Sequence, residues 1–193
     1  MNQLRYDGRC RTDAAERALL ARVATGDRGA MDQLYMRYFE RLAEFFQSVT
    51  LHPDVVEDLI NETMLDVWKA GESIRTNASV LPAIMRVAYS RVQRFFAEVR
   101  SDEPHSQRDA RDWEQSKSKP AQETALEFQV FLSKLPVAER AVLYFVYASG
   151  FSRREIADIM EIACDYVDML LRAVRAASTL YLNVTATHAH RVD

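Results

Sequence analysis

Apolar positions in this chain recur three and four residues apart almost from end to end, the period of helices that each bury one face. Asp13 with Glu16 three residues on predicts a capping box for a first helix running to Ala24, with Gly26 as its stop. Leu34, Tyr38, Leu42, Phe45 and Val49 mark one stripe of a second helix over 30–49. A third starts near Pro53, a residue suited to a first helical turn; its stripe is Val56, Leu59, Ile60, Thr63, Met64, Val67 and Trp68, and Gly71 ends it. After the polar loop GESIRTNAS a fourth helix is predicted over 80–100, with Ile84, Val87, Ala88, Val92, Phe95, Phe96 and Val99 toward the core. No alternating strand pattern of useful length interrupts them.

One compositional break divides the chain. Residues 101–123, SDEPHSQRDARDWEQSKSKPAQE, are polar, contain two prolines and have almost no aliphatic side chains, as a flexible linker does. Helical spacing then returns over 125–135, continues in PVAERAVLYFVYA and breaks at Gly150. FSRREIADIM follows, then a short turn and MEIACDYVDMLLRAVRAA, and the pattern fades near Leu182. A tight final pair of helices is what a helix-turn-helix requires. The expected architecture is therefore all-α: a helical domain over 1–100, a linker over 101–123, a helix-turn-helix domain over 124–182 and a polar tail over 183–193.

Composition narrows the function by exclusion. A net charge of −3 over 193 residues does not advertise a nucleic-acid binder, so any such role must come from local patches. The two cysteines, Cys10 and Cys164, are too few for a disulfide framework or a zinc site, and the four histidines fall outside ligand spacing on any predicted helix. Glycine-rich phosphate loops and nucleophile elbows are absent. The reading is of a protein without catalysis, cofactor, metal or small-molecule substrate. The N-terminus has no continuous apolar segment of a secretion signal and the longest apolar run, 141–148, is far short of a membrane span, so the expected compartment is the cytoplasm.

Charge does segregate by helix. Asp54, Asp58, Glu62 and Asp66 are spaced by four, with Glu57 beside them, and so form an acidic stripe on the third helix. Like charges at that spacing disfavour the isolated helix, and such a stripe suits a basic partner. On the fourth helix Arg86, Gln93 and Arg100 lie seven apart, with Tyr89, Ser90 and Arg94 adjacent. Cations beside an aromatic ring suit the backbone and unstacked bases of single-stranded DNA. The last helix departs from this logic: Asp165 and Asp168 stand near its start, where phosphate-seeking helices carry cations.

Taken in order, these features resemble the sigma-70 family of bacterial transcription initiation factors, in its compact extracytoplasmic-function (ECF) group, over about residues 19–180. GDRGAMDQLYMRYFERL is similar to the family's opening helices, VVEDLINETMLDVW to its core-polymerase-binding segment and LPAIMRVAYSRVQRFF to the helix that contacts the melted promoter. The segment from LSKLPVAERAVLYFVYASG onward resembles its C-terminal helix-turn-helix. The resemblance implies that Asp54, Glu57, Asp58, Asn61 and Glu62 dock on core RNA polymerase. It likewise implies that Arg86, Tyr89, Ser90, Gln93 and Arg94 face the separated promoter strands, and that Arg153, Arg154, Asp165, Tyr166, Asp168, Met169 and Arg172 lie on promoter DNA. An anti-sigma factor is the further partner it implies.

This chain departs from the family pattern at several positions. Val55-Val56-Glu57-Asp58 stands where an Asp-Ala-Glu-Asp type sequence is usual, and Ala83 or a neighbour replaces a frequent tryptophan. Glu161 occupies a turn position that is usually Gly, and Asp168, Met169 and Leu170 replace basic and polar residues. Some relatives that lack acids in the docking segment are phosphorylated on threonine there, which makes Thr63 a position to inspect. Two alternatives stay open at this point: a sigma-like decoy or adaptor that binds the same proteins without directing initiation, and an unrelated helix-turn-helix regulator.

Overall fold

A computed structural model of the chain describes residues 3–70, 74, 79–102 and 129–189, and the side chains of 14–70, 74, 79–99 and 129–179. Among the described residues the only regular structure is helical. Helix α1 spans Gln3–Ala24 and α2 spans Arg28–Thr50; a 3-10 turn, Pro53–Val55, leads into α3, Val56–Lys69; and α4 spans Val80–Asp102. Beyond the central segment, residues 129–133 are helical, α5 is Val137–Leu143 and runs into a π-helical turn over Tyr144–Ala148, α6 is Arg153–Met160 and α7 is Cys164–Ala189.

Three boundaries differ from expectation. Helix α1 passes straight through Asp13, so no capping box forms there. Glu16 is instead buried and accepts a 2.8 Å hydrogen bond from Arg37 Nε, a charge-assisted partner that a helix-interior residue can hold while the backbone ladder stays intact. Helix α7 continues through Ala189, well past Leu182, because TLYLNVTATHA contains neither Gly nor Pro to stop it. Val99, expected in the core, is 42% exposed near the end of α4. Gly71 and residues 103–128, which hold most of the expected linker, lie outside the described residues, while residues 101 and 102 belong to α4.

Local chemistry explains the remaining ends. Asp27 caps α2: its Oδ1 accepts from the Ala30 amide at 3.0 Å and its Oδ2 from Arg22 Nε at 2.9 Å. The Ala30 amide, and then Arg22, hold its carboxyl below its ordinary pKa. Helix α6 opens on a full capping box, in which the Ser152 hydroxyl accepts from the Glu155 amide and the Glu155 carboxylate accepts from the Ser152 amide. It closes at Glu161, whose φ of 55° and ψ of 44° are left-handed, a conformation that disfavours any residue with a Cβ.

The two halves of the chain share one hydrophobic core. Leu34, Leu42, Phe45 and Phe46 of α2, Ile60 and Met64 of α3, and Ile84, Met85 and Ala88 of α4 join Val142, Phe145, Ile156, Ile159 and Val167 in a single cluster. Phe145 is its hinge pin: it is fully buried, stacks on Phe45 with centroids 5.2 Å apart and meets Tyr89 edge-on at 6.4 Å. Burying such a ring is worth roughly 3 kcal/mol, and each well-placed aromatic pair adds about 0.5–1.5 kcal/mol. A smaller cluster of Phe131, Leu132 and Leu135 packs against Leu51, Leu143 and Ala177 and pins the segment that leads into α5.

Candidate functional site

Helix α3 carries the acidic face. Its apolar stripe, Val56, Leu59, Ile60, Thr63, Met64 and Val67, is buried as the periodicity demands, which turns Glu57, Asp58, Asn61 and Glu62 outward. Asp54 is also exposed, in the 3-10 turn that precedes the helix. Asp54, Glu57 and Asp58 therefore gather at the positive end of the α3 dipole, which offsets their mutual repulsion. The lower half of the stripe is engaged internally. Arg91 of α4 donates to Asp66 Oδ2 at 2.8 Å through Nε and to Glu62 Oε2 at 3.0 Å through a terminal nitrogen.

Apolar side chains border this face. Tyr35 of α2 donates its hydroxyl to Asn61 Oδ1 at 3.0 Å and packs beside Phe39, with ring centroids 5.6 Å apart. Leu65, one turn beyond Asn61, is 57% exposed, and Phe39 and Met36 are exposed too. Sequence reasoning passed over Leu65 and Met36, although the signal was there: both are large apolar residues off the buried stripe. Thr63 is fully buried and donates its Oγ1 hydroxyl to the Leu59 carbonyl at 2.7 Å, so a kinase could not reach it in this fold.

Helix α4 brings the second group together. Arg86 and Ser90 are half-buried, whereas Gln93 and Arg94 are exposed. Tyr89 is only 6% exposed, since Phe145 lies against it. Burial raises its phenol pKa, with a small upward push from the nearby Tyr166 and a hydrogen bond with Gln93 pulling the other way. All five residues line a cleft of about 300 Å³ whose opposite wall is Ile159, Met160 and Glu161 of α6 and its C-terminal turn. Arg86 Nε is buried there with no hydrogen bond among the described residues. The Arg100 side chain lies outside the described residues.

Helices α6 and α7 hold the third group. Val167, Leu170, Leu171 and Val174 are buried, which leaves Asp165, Tyr166, Met169 and Arg172 along one exposed strip of α7. Tyr166 is 47% and Met169 44% exposed, so this strip is as apolar as it is charged. Arg153 and Arg154 are exposed in the first turn of α6. Arg153 Nε reaches across to Asp168 Oδ1 at 2.8 Å, so one expected phosphate contact is already paired with one of the unexpected acids.

Among the described residues, no group of three or more His, Cys, Asp or Glu side chains is placed to hold a metal ion, and no helix is long and apolar enough to cross a membrane.

Comparisons with known proteins converge. No family model matches the chain. The ECF sigma factor EcfG of Rhodopseudomonas palustris is 33% identical over 147 residues, covering 72% of this chain and 76% of that protein. The ECF sigma factor SigM of Mycobacterium tuberculosis is 27% identical over 154 residues, 79% of this chain and 77% of its own. Among solved structures, CnrH in complex with the cytosolic domain of CnrY shares the fold with a TM-score of 0.66 at 19% identity, over 88% of this chain and 98% of that one. RpoE in complex with the anti-sigma factor NepR from Bartonella quintana gives 0.58 at 22% identity, over 79% and 96%. An all-helical fold with this arrangement, together with a one-third identical relative matched over most of its length, places the chain in the ECF group of RNA polymerase sigma factors.

Proposed function

We propose that this protein is an alternative sigma factor that works as its family does: it binds core RNA polymerase and directs initiation at the promoters it recognises. In this reading residues 1–100 bind polymerase and the downstream promoter element, 101–123 tether the halves, and 124–182 form a helix-turn-helix domain with α6 and α7 as its final pair. Residues 183–193, whose first seven continue α7, form a polar extension beyond that domain. Asp54, Glu57, Asp58, Asn61 and Glu62 dock on the polymerase. Arg86, Tyr89, Ser90, Gln93 and Arg94 take the melted strand, and Arg153, Arg154, Asp165, Tyr166, Asp168, Met169 and Arg172 approach the upstream duplex. The protein acts in the cytoplasm, and an anti-sigma factor restrains it, the kind of partner that its fold relative RpoE holds in the complex with NepR.

The observation that carries the reading is the coupling of two faces of opposite character. An acidic face and an arginine-tyrosine face sit on consecutive helices, and Arg91 ties one to the other through Glu62 and Asp66. In this reading the Arg91 bridge holds α4 in a fixed relation to the docking face of α3. No chemical step is needed: recognition by phosphate contacts and by stacking of unpaired bases is a binding function. The test is the affinity of the full chain for purified core polymerase. Asp58→Lys and Glu57→Lys should each weaken it at least tenfold, and unchanged affinity in both would remove α3 from the docking surface.

The Arg153–Asp168 pair favours a second reading, a decoy that engages the same proteins without using its last helix on DNA. It is distinguished by polymerase binding without promoter-specific transcripts.

A further inference from the structure

We propose that α7 selects its promoter by a carboxylate and a thioether: Asp165 reads the amino group of a cytosine, and Met169 reads the methyl group of a thymine about two base pairs away. This rests on the sigma-factor reading for placing α7 on the upstream duplex. The choice of bases stands on the chemistry of the exposed strip. Asp165, Tyr166, Met169 and Arg172 lie at i, i+1, i+4 and i+7 and so share one face, while Val167, Leu170, Leu171 and Val174 are buried and cannot reach a groove. From Asp165 to Met169 the helix rises about 6 Å, close to two base-pair steps.

Position decides which of these side chains touches bases. The N-terminal residues of a recognition helix approach base edges. Asp165 stands in the first turn of α7 and Met169 one turn on. Arg172, a further turn along, faces phosphate together with Arg154, which is exposed in the first turn of α6. Asp168 is withdrawn, since Arg153 holds its carboxylate at 2.8 Å. Asp165 is thus the acid left for a base. A carboxylate only accepts hydrogen bonds, so guanine N7 and O6 repel it, as does the N7 beside the adenine amino group. Cytosine N4 offers a donor with no acceptor beside it in the major groove. Met169 supplies a flexible apolar side chain that suits a thymine methyl, and the partly exposed Tyr166 flanks it. Acids in place of cations weaken the general attraction to phosphate, so base contacts carry more of the binding.

Duplexes randomised at the upstream element are selected by the full chain, alone and with core polymerase, and run-off transcription from the same pool is scored separately. Wild type should enrich a cytosine with a thymine about two positions away. Asp165→Asn, an isosteric change at an exposed site, should replace that cytosine by adenine with a preference of about tenfold, because an amide donates to N7 and accepts from the N6 amino group. Met169→Ala should relax the thymine preference about fivefold and leave the cytosine in place. Arg172→Ala should weaken every sequence alike and lower the salt slope by about one counterion. An unchanged base preference in Asp165→Asn would overturn the proposal. So would a wild type that enriches no upstream base, which would make the strip a protein-binding surface. Run-off from wild type, with Asp165→Asn preferring the same bases, refutes the base reading alone. A cytosine-to-adenine shift among bound duplexes, with no run-off from either chain, refutes the sigma-factor reading and leaves the base reading standing.

Discussion

Arg153 on α6 donates its Nε to the Asp168 carboxylate on α7 at 2.8 Å, so the first cation of α6 and the second acid of α7 neutralise each other. Both side chains are well exposed, at 64% and 41%, and a pair of that kind contributes at most about 1 kcal/mol to folding. Its effect is on what Arg153 is free to touch.

Asp168→Asn should therefore release Arg153 toward DNA with little effect on stability. The expected outcome is tighter duplex binding and a salt dependence steeper by about one counterion. Anisotropy titrations of promoter duplex across a range of salt concentrations check it. An unchanged slope would mean that Arg153 does not reach a phosphate even when free.

Glu161 sits in a left-handed conformation at the turn between α6 and α7, where glycine is the usual residue. Glu161→Gly removes the Cβ clash, and part of that gain is offset by the greater freedom of glycine in the unfolded chain. The net expectation is about 0.5–1 kcal/mol of added stability, a rise of roughly 1–4 °C in the thermal midpoint. Calorimetry of the two chains decides it; a lower midpoint for the variant would show that the Glu161 side chain makes a compensating contact.

Arg91→Ala should cost about 1–3 kcal/mol, because it leaves the partly buried Asp66 without its charge-assisted partner. Most of that comes from Asp66, since Glu62 is 52% exposed and readily solvated. Arg91→Lys should recover only part, as a single ammonium cannot bridge two carboxylates with the fork of a guanidinium. Urea unfolding gives the stabilities, and polymerase affinity of the lysine variant tells whether the α3–α4 tether matters for docking as well as for folding.

Tyr38, Tyr89 and Tyr144 all have phenols whose pKa burial pushes above the ordinary range. The unfolded chain loses those protons near pH 10 while the folded chain keeps them, so the folded state is favoured below about pH 10 and loses stability as pH rises beyond it. Tyr89→Phe should make that loss less steep. Urea midpoints measured on either side of about pH 10 test this, and an equal slope in wild type and variant would mean that Tyr89 titrates as an open phenol.

Much of this was legible in the sequence, and the limits have physical causes. The stripes of α2, α3 and α4 follow from spacing alone, because burial on one helix face imposes the same period whatever lies opposite. The acidic face of α3 was legible for the same reason. Its partner Arg91 was not, since a salt bridge across 25 and 29 residues leaves no periodic trace. The S-x-x-E box at Ser152 and the cap at Asp27 were readable signals that went unused, whereas the box at Asp13 was a false one, overridden by a helix that begins at Gln3. Least legible was the burial of Tyr89. Its position beside Arg86 and Gln93 marks it for a polar face, and the docking of Phe145, from the far side of the polar segment, puts a ring against it.

Direction of initiation by this chain is tested most directly by transcription itself. Full-length protein is combined with core polymerase and a randomised promoter library, and the run-off transcripts are sequenced. Transcripts that start downstream of one shared pair of sequence elements, and that vanish with Asp58→Lys and with Arg94→Glu, are the expected result. Tight polymerase binding with no transcripts above the core background would contradict it and identify the chain as a sigma-like decoy.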